Sequence, residues 1–443
     1  MLADGVLILS HCGYSFVEDL VAAIGRRQLR SHVLTSQPLP EHANRLVALR
    51  ALAGSVHAGG THVLSISDVD RTLDALKASG VRVLACISVW EGYRSLMAYA
   101  NARLGVADLA PVLVDSLRDK LHVRNALYAD GLSRRRAYAL TPDMLGQLQA
   151  HLARGGEYFV KPVQGIASYG AFRLTRETTW ATLEAISQQA QADTVYASVI
   201  GEGVRFIAEE YVTGTECSFE VLVVGGSPYV VAIHEKCELT EANGTVLEDS
   251  CTSPPVSICA RHCAQGIAWL RAVFARLALD WGCFHVEARF DGTRWDLIEI
   301  NPRVGGSLIS PSVKALNGDA NLLDLWLHVL LDADGAHASL SRLAYTGEGE
   351  TPSPNATFFR VYFASPGRIE EIQINPLPRA PVVTQVLLKA GDEVDPASRE
   401  VFLGQLLWSM TRAERDAELD ALLAASAFAI AVRYRVTEPA LGV

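Results

Sequence analysis

The chain has 443 residues, a formal net charge of −10, and 49% hydrophobic against 20% charged residues. At roughly 150 residues per domain it can build two or three domains with sizeable cores, and this composition excludes a disordered or fibrous chain. The acidic balance removes any general electrostatic drive toward nucleic acid or an anionic membrane, so neither is expected as a partner.

No basic segment precedes Val6-Leu7-Ile8-Leu9. The longest apolar stretch, Leu422 to Val432, is well short of the roughly 18 residues that span a bilayer. A cytoplasmic protein outside the membrane is therefore expected. Eight cysteines, at 12, 86, 217, 237, 251, 259, 263 and 283, contain no CxxC pair, which points to reduced, mostly buried thiols. Cys259, His262 and Cys263 share part of a helix face but lack a second ligand pair, so no zinc cluster is expected there.

From Gly5 to Gly105 short apolar runs alternate with amphipathic segments, the rhythm of an α/β domain with a parallel sheet. Strands are expected at Gly5–Leu9, His32–Thr35, His62–Ser65 and Val81–Ser88. Ser15-Phe-Val-Glu18 reads as a capping box opening a helix toward Arg30. Further helices are expected from Ser67 to Ser79 and from Glu91 to Leu104. The first turn, Ser10-His-Cys-Gly13-Tyr-Ser15, lacks G-x-G-x-x-G, so no dinucleotide cradle is expected.

Leu109-Ala-Pro111 marks a boundary, after which the pattern becomes α+β. Ser116-Leu-Arg-Asp119 opens a helix carrying Lys120 and Arg124. A strand at Glu157–Val163 leads into a loop, Gly165–Gly170, and a returning strand, Ala171–Thr175. Strands follow at Arg205–Val212, Cys217–Val224 and Tyr229–Ile233, then a helix over Ser257–Leu279. A hairpin pairs Cys283–Phe290 with Trp295–Ile300. Strands at Phe358–Phe363 and Val382–Leu388 and an acidic helix at Thr411–Ala424 complete the reading, with Gly347–Pro354 the linker-like segment.

Three segments carry chemistry. Within the late hairpin, Glu299 and Asn301 lie two apart and share a strand face. The partner strand brings Glu287 opposite them or one diagonal step away. Two carboxylates among apolar neighbours repel and lose hydration unless a cation compensates. Two Glu and one Asn are hard oxygen donors suited to Mg²⁺; the alternative is a plain salt bridge from Glu299 to Arg303 or Arg289. In the second segment Lys161 ends an apolar strand before a Gly/Ser loop, an arrangement that can present an ammonium beside phosphate-binding N–H groups. The alternative is a hairpin turn with a surface lysine. In the third, Ile207 to Glu216, an extended edge can offer backbone groups to an adenine while a carboxylate takes ribose hydroxyls; a strand and turn with surface acids is the alternative.

In this order and spacing, from Lys120 to Gly306, the segments resemble the ATP-grasp superfamily. The Asn-Pro-Arg-x-Gly-Gly run at 301–306 is similar to its carboxylate–amine ligase branch, which includes bacterial L-amino acid ligases that make dipeptides. The resemblance implies a Rossmann-like domain at 1–110, an ATP-grasp small lobe at 111–205, a large lobe at 206–335, and the C-terminal part of that lobe at 336–443. It implies ATP as nucleotide and Mg²⁺, with Mn²⁺ as alternative, held by Glu287, Glu299 and Asn301. Lys120 and Lys161 become the phosphate-binding lysines, and Gly165, Ser168 and Gly170 the loop over the triphosphate. Glu209, Glu210, Tyr211 and Val212 become the adenine hinge, Glu216 the ribose carboxylate, and Glu91 a nucleotide-site residue from the first domain. Arg303 and Lys161 become the catalytic pair, and Glu248, Cys251, Arg303, Gly305 and Gly306 the substrate-binding set.

Small carboxylate and amine substrates are implied, joined through an acyl phosphate. A ligase with a non-amino-acid amine or bicarbonate acceptor, and a silent ATP-binding protein, are the competing readings. Two departures from the branch stand out. Glu248-Asp-Ser-Cys251 replaces E-x-x-H, and Ser133-Arg-Arg-Arg136 replaces a proline-containing turn; the latter reads as a solvated basic turn or an anion-binding one. His234-Glu235-Lys236 reads either as lying near the substrate cleft or as an exposed strand end. Oligomeric state is open, with a homodimer as candidate.

Overall fold

The computed structural model describes residues 3–40, 43–165, 168–192, 203–242, 245–395 and 401–435. Strands β1 (Ala3–Ser10), β2 (Arg30–Thr35), β3 (Ser55–Ala58) and β4 (Val81–Ile87) form a parallel sheet ordered β3-β2-β1-β4. Helices α1 (Val17–Arg26), α2 (Asn44–Leu52), α3 (Ile66–Ala78) and α4 (Arg94–Leu104) connect and cover it. Val6, Leu7 and Ile8 are fully buried, as expected of a parallel strand covered on both faces.

Two local expectations in this sheet are corrected. The strand expected at His62–Ser65 is displaced to Ser55–Ala58, because Ser65 is instead the N-cap of α3. Its hydroxyl accepts from the Asp68 N–H while the Asp68 carboxylate accepts from the Ser65 N–H at 2.9 Å. The capping box expected at Ser15-x-x-Glu18 does not form. Ser15 and Phe16 take left-handed backbone angles, φ 73° and 59°, the Glu18 carboxylate pairs with Arg45 at 2.6 Å, and α1 begins without a side-chain cap.

Pro111 opens α5 (Pro111–Arg118), where a missing N–H costs nothing. The single helix expected through Lys120 is broken at Asp119, whose side chain accepts from the His122 N–H at 2.9 Å and caps α6 (Lys120–Ala129). Lys120 therefore occupies the first turn of its own helix. β5 (Ala137–Ala139), α7 (Pro142–Leu152), β6 (Tyr158–Pro162), β7 (Phe172–Arg173), α8 (Trp180–Ala192) and β8 (Phe206–Glu210) follow, and the strands form an antiparallel sheet ordered β5-β8-β6-β7.

The rest of the chain builds β9 (Thr215–Val224), β10 (Ser227–Ala242), β11 (Thr245–Ser253), α9 (Ala260–Arg276), β12 (Gly282–Phe290), β13 (Trp295–Asn301), α10 (Ile309–Asn317), α11 (Leu322–Leu331) and α12 (Ala333–Leu343). β14 (Asn355–Ala364), β15 (Gly367–Ile374), β16 (Val383–Val386), β17 (Glu393–Val394), β18 (Val401–Thr411), α13 (Arg412–Ser426) and β19 (Ile430–Tyr434) complete it. Among the described residues β13-β12-β9-β10-β11-β14-β18-β16 form one eight-stranded antiparallel sheet, with β17-β15-β19 as a smaller one. The expected strand Tyr229–Ile233 is the beginning of the much longer β10. α11, LLDLWLHVLL, was not anticipated: it is buried nearly all round, so no amphipathic period marks it.

One apolar core joins β1 and β4 to α11 and to Leu222, Val224 and Cys283 of the large sheet. No described helix is long and apolar enough to cross a membrane. All eight cysteines are free and only Cys259 is exposed.

The linker-like 347–354 segment is folded against α9. Gly349 sits at φ +80°, and a Cβ there would lie 2.0 Å from the Ala260 carbonyl oxygen and 2.5 Å from the Ala264 nitrogen. Gly349→Ala therefore meets unyielding backbone as well as an unfavourable φ. It is expected to destabilise the chain by about 1–3 kcal/mol or more, read as a lowered urea-unfolding midpoint with unchanged slope.

Candidate active site

A cavity of about 1070 Å³ opens where the first sheet's loops, the β5-β8-β6-β7 sheet and the β12–β13 hairpin meet. Side chains two apart on a strand share a face, so the hairpin register decides what enters it. Glu287 pairs directly with Glu299, and His285 with Asn301. The sequence expectation that the two carboxylates and Asn301 would be neighbours is met, and all three line the cavity.

Neither arginine alternative for Glu299 is realised. Its carboxylate pairs with Lys120 Nζ at 3.0 Å. Glu287 accepts from Lys236 Nζ at 3.4 Å and from His285 Nε2 at 3.2 Å. Burial opposes ionisation of Glu287, but Lys236 and His285 outweigh it and hold the carboxyl well below the usual range. His285 is in turn held at Nδ1 by the fully buried Glu220 at 2.9 Å. Against the opposing effect of burial, Glu220 and Glu287 push this imidazole up to about 9, so it is cationic at neutral pH. Gly305 makes room for it: a Cβ there would meet His285 Nδ1 at 2.7 Å.

Opposite the hairpin, β6 delivers Lys161. Its ammonium bonds Glu209 Oε2 at 2.8 Å and the Ile298 carbonyl at 3.1 Å. Glu209 is also gripped by Arg124 at 3.3 Å, and Arg124 reaches Asp296 at 3.1 Å. The two lysines are held differently. Burial lowers the Lys161 ammonium below the ordinary lysine range, with Arg124 and Lys120 adding to the effect against the pull of Glu209. Burial acts on Lys120 too, but Glu299, Glu91 and Glu209 overcome it and raise that ammonium.

Toward the outer end, Arg289 bonds Glu216 at 2.7 Å, the Tyr211 hydroxyl at 2.8 Å and the Val212 carbonyl at 2.7 Å. Arg173 stacks over the Tyr211 ring at 3.9 Å. At the first-domain wall, Arg303 pairs with Glu91 at 3.0 Å. Arg94, fully buried, donates to the Pro302 carbonyl at 2.9 Å and pairs with Asp108, fixing the Asn301–Arg303 turn to α4.

Of the sequence-predicted residues, Glu91, Lys120, Lys161, Gly165, Ser168, Glu210, Tyr211, Val212 and Gly306 also line the cavity, as do Glu209, Glu216 and Arg303. Gly170 does not: it packs at φ +69° under Ile186 and Pro162, shaping the loop from behind. Residues 166 and 167 of that loop lie outside the described residues, as does the side chain of Glu248. Cys251 is corrected: expected at the substrate cleft, it is buried in the apolar core opposite Lys236 rather than on the cavity wall. Burial pushes its thiol up to about 12.

His234-Glu235-Lys236 is not an exposed strand end. All three are buried, and only Lys236 reaches the cavity. The basic turn is pinned at its start by Ser133 to Asp296 at 2.7 Å, while Arg134 and Arg136 are exposed. Lys236 and His285 were missed as charge partners of Glu287. The signal for His285 was available, since it lies two residues before Glu287 on the same face.

The donor set at the hairpin, two carboxylates and an amide oxygen, is of the hard oxygen type that suits a divalent cation. Glu287, Glu299 and Asn301 would hold such an ion, and Lys120 and Lys161 flank the space where phosphate charge would be met.

Residues 157–311 match the family model described as ATP-grasp domain. Solved structures share the fold over nearly the whole chain. An L-amino acid ligase from Bacillus licheniformis superposes at TM-score 0.71 with 16% identity, covering 98% of this chain and 100% of that one. A phosphoribosylglycinamide synthetase from Anaerococcus prevotii gives 0.65 and 14%, covering 98% and 100%. A biotin carboxylase from Campylobacter jejuni gives 0.65 and 12%, covering 97% and 92%. No curated protein is significantly similar in sequence.

Arg124 is the cation on which Glu209 and Asp296 both depend. Arg124→Met keeps most of the volume but leaves buried Asp296 without a cation and Glu209 with Lys161 alone, so a loss of about 3–5 kcal/mol in unfolding free energy is expected, measured by urea denaturation at neutral pH. A change within about 0.5 kcal/mol, the range of an ordinary surface substitution, would show that the pairs carry no such dependence.

Proposed function

Starting from the ATP-grasp fold that the chain carries, we propose that it is an ATP-dependent carboxylate–amine ligase. In this reading it joins two L-amino acids or amino-acid-like substrates through an acyl phosphate and releases ADP and phosphate. The observation that carries the reading is the direct pairing of Glu287 with Glu299 across one hairpin, beside Asn301 and opposite Lys120 and Lys161. The likeness to the Bacillus ligase, and the Asn301-Pro-Arg303-x-Gly305-Gly306 run, favour an amine as the acceptor.

A carboxylate is a poor acyl donor because oxide is a prohibitive leaving group; phosphorylation supplies a better one. A divalent ion, when bound, supplies charge neutralisation on the phosphates. The chain's own contribution is positioning and fixed charge. Lys120 and Lys161 would meet the phosphate oxygens, and the segment from Glu209 at the end of β8 to Val212 just beyond it would seat the base. Arg303, anchored by Glu91, would face the oxyanion that forms when the amine adds. Gly165 and Ser168 border the cavity where water must be kept from the activated acyl group.

The test is phosphate release from ATP and Mg²⁺ with pairs of L-amino acids, followed by mass spectrometry of the product. A mass equal to the two substrates less water is the expected result. Phosphate release driven by bicarbonate alone, or by no carboxylate–amine pair, would reject the assignment. Glu299→Gln retains an oxygen for Lys120 while removing a charge from the ion site. It is expected to lower ATP turnover by about 10²–10³-fold or more, with the thermal unfolding midpoint little changed.

A further inference from the structure

A second cluster of ligand-type side chains lies behind the cavity wall, at the carboxyl edge of the parallel sheet. His11 and Cys12 follow β1, and His62 lies in the segment between β3 and α3. One ligand atom from each can be chosen so that all lie within 4.8 Å of one another. Cys12 Sγ is 3.6 Å from His62 Nδ1 and 3.8 Å from its Nε2. The His11 and His62 rings meet edge to face with centroids 4.8 Å apart.

Both imidazoles already have one nitrogen engaged outside the cluster. His11 Nδ1 contacts the Tyr93 hydroxyl at 3.1 Å and the Ser36 hydroxyl at 3.2 Å. His62 Nδ1 donates to the Gln37 carbonyl at 3.0 Å. The Gln37 carbonyl makes Nδ1 the donor in His62, and with His11 Nδ1 likewise donating to one of its two hydroxyl partners both Nε2 atoms carry lone pairs. His11 is 95% buried, and its Nε2 has no hydrogen-bond partner among the described residues. A buried, unsatisfied ring nitrogen is costly unless something accepts its lone pair. Outer hydrogen bonds that fix the ring and its tautomer are the usual support of a metal-bound histidine.

We propose that His11, Cys12 and His62 bind one borderline-soft divalent cation of the zinc class, at a site separate from the oxygen-donor hairpin. Zn–S near 2.3 Å and Zn–N near 2.0 Å at a tetrahedral angle separate sulfur from nitrogen by about 3.5 Å, close to the Cys12–His62 spacing. Two nitrogens and a sulfur favour zinc over magnesium. Binding exchanges the Cys12 thiol proton for the ion: one S–H bond breaks, one S–metal bond forms, and one proton leaves to solvent. His11 stacks on Trp90, with centroids 4.9 Å apart and planes 10° from parallel. The ion would therefore brace the Trp90–Glu91 wall that anchors Arg303.

The experiment titrates Co²⁺ into the full-length, chelator-stripped protein with Mg²⁺ in excess to occupy the hairpin. One equivalent is expected to give a thiolate-to-cobalt charge-transfer band with d–d bands of tetrahedral intensity, one proton released, and full displacement by one equivalent of Zn²⁺. Cys12→Ser should lose the charge-transfer band, and Cys259→Ser, at the exposed Cys259–His262 pair, should keep it. His62→Ala, at a partly exposed position that folding tolerates better, should weaken binding by at least the roughly 10–100-fold seen when a supporting partner of a ligand is lost. A wild-type titration without the band, or a band that survives both Cys12→Ser and His62→Ala, would overturn the site.

Discussion

Buried charge has to be matched, and in this molecule that constraint organises everything around the β12–β13 hairpin. Glu287 and Glu299 face each other on adjacent strands, an arrangement that a closed apolar sheet could not tolerate with both ionised. Their compensation comes from three separate parts of the chain: Lys120 from the first turn of α6, Lys236 from β10, and His285 from β12 itself. Each partner makes the site depend on a different element being folded. The helix break at Asp119 belongs to the same arrangement, because it places Lys120 at a helix start, beside Val163 just past the end of β6, to whose carbonyl the Lys120 N–H donates at 3.2 Å. Asp119 is thus a cap whose consequence lies in the cavity.

A second chain of pairs runs behind the first. Glu209 is held by Lys161 and Arg124, Arg124 by Asp296, and Asp296 by Ser133 of the basic turn. Asp296 is on β13, three residues before Glu299. The small antiparallel sheet and the hairpin are therefore joined by alternating buried charges as well as by apolar packing. Such networks contribute little net stability over apolar residues of similar volume, yet removing one member is costly. Their effect is to fix which carboxylates face the cavity and which are spent on cations. Glu209 is spent on Lys161 and Arg124, so its backbone, more than its carboxylate, remains to meet a nucleotide.

The sequence revealed what depends on strand periodicity and on close spacing. Glu299 and Asn301, two apart, share a face by geometry alone, and the tight turn over Asp291-Gly292 left Glu287 little freedom but to oppose them. Lys161 at the end of an apolar strand and the parallel order of the first sheet were legible for the same local reasons. What was not legible depended on distant partners or on missing contrast. Ser65 could have ended a strand or capped a helix, and Asp68 decided it. Ser15 and Glu18 matched a capping box, but Arg45 took the carboxylate and the loop turned left-handed beside the cavity. α11 is apolar at all but Asp324 and His328 and buried nearly all round, so its period was hidden. Cys251 stands where a polar contact was expected, but its strand position turns it into a core that only the assembled sheets create.

The first sheet does more than fill space beside the ATP-grasp domain. Arg94 carries a guanidinium with 1% exposure, and it ties α4 both to Asp108 and to the carbonyl of Pro302. Pro302 separates Asn301, a hairpin donor, from Arg303, whose guanidinium is held by Glu91 from the same domain. The turn between donor and arginine is therefore gripped at two points by the first domain, while its strand is held by the large sheet. A displacement of β4 relative to β12 would strain this turn, because Asn301 is paired with His285 of β12 while Arg303 is held by Glu91. That coupling gives the N-terminal sheet a definite physical role even though its first turn lacks a G-x-G-x-x-G run: it sets the position of the arginine that faces the reacting carbonyl in the proposed reaction.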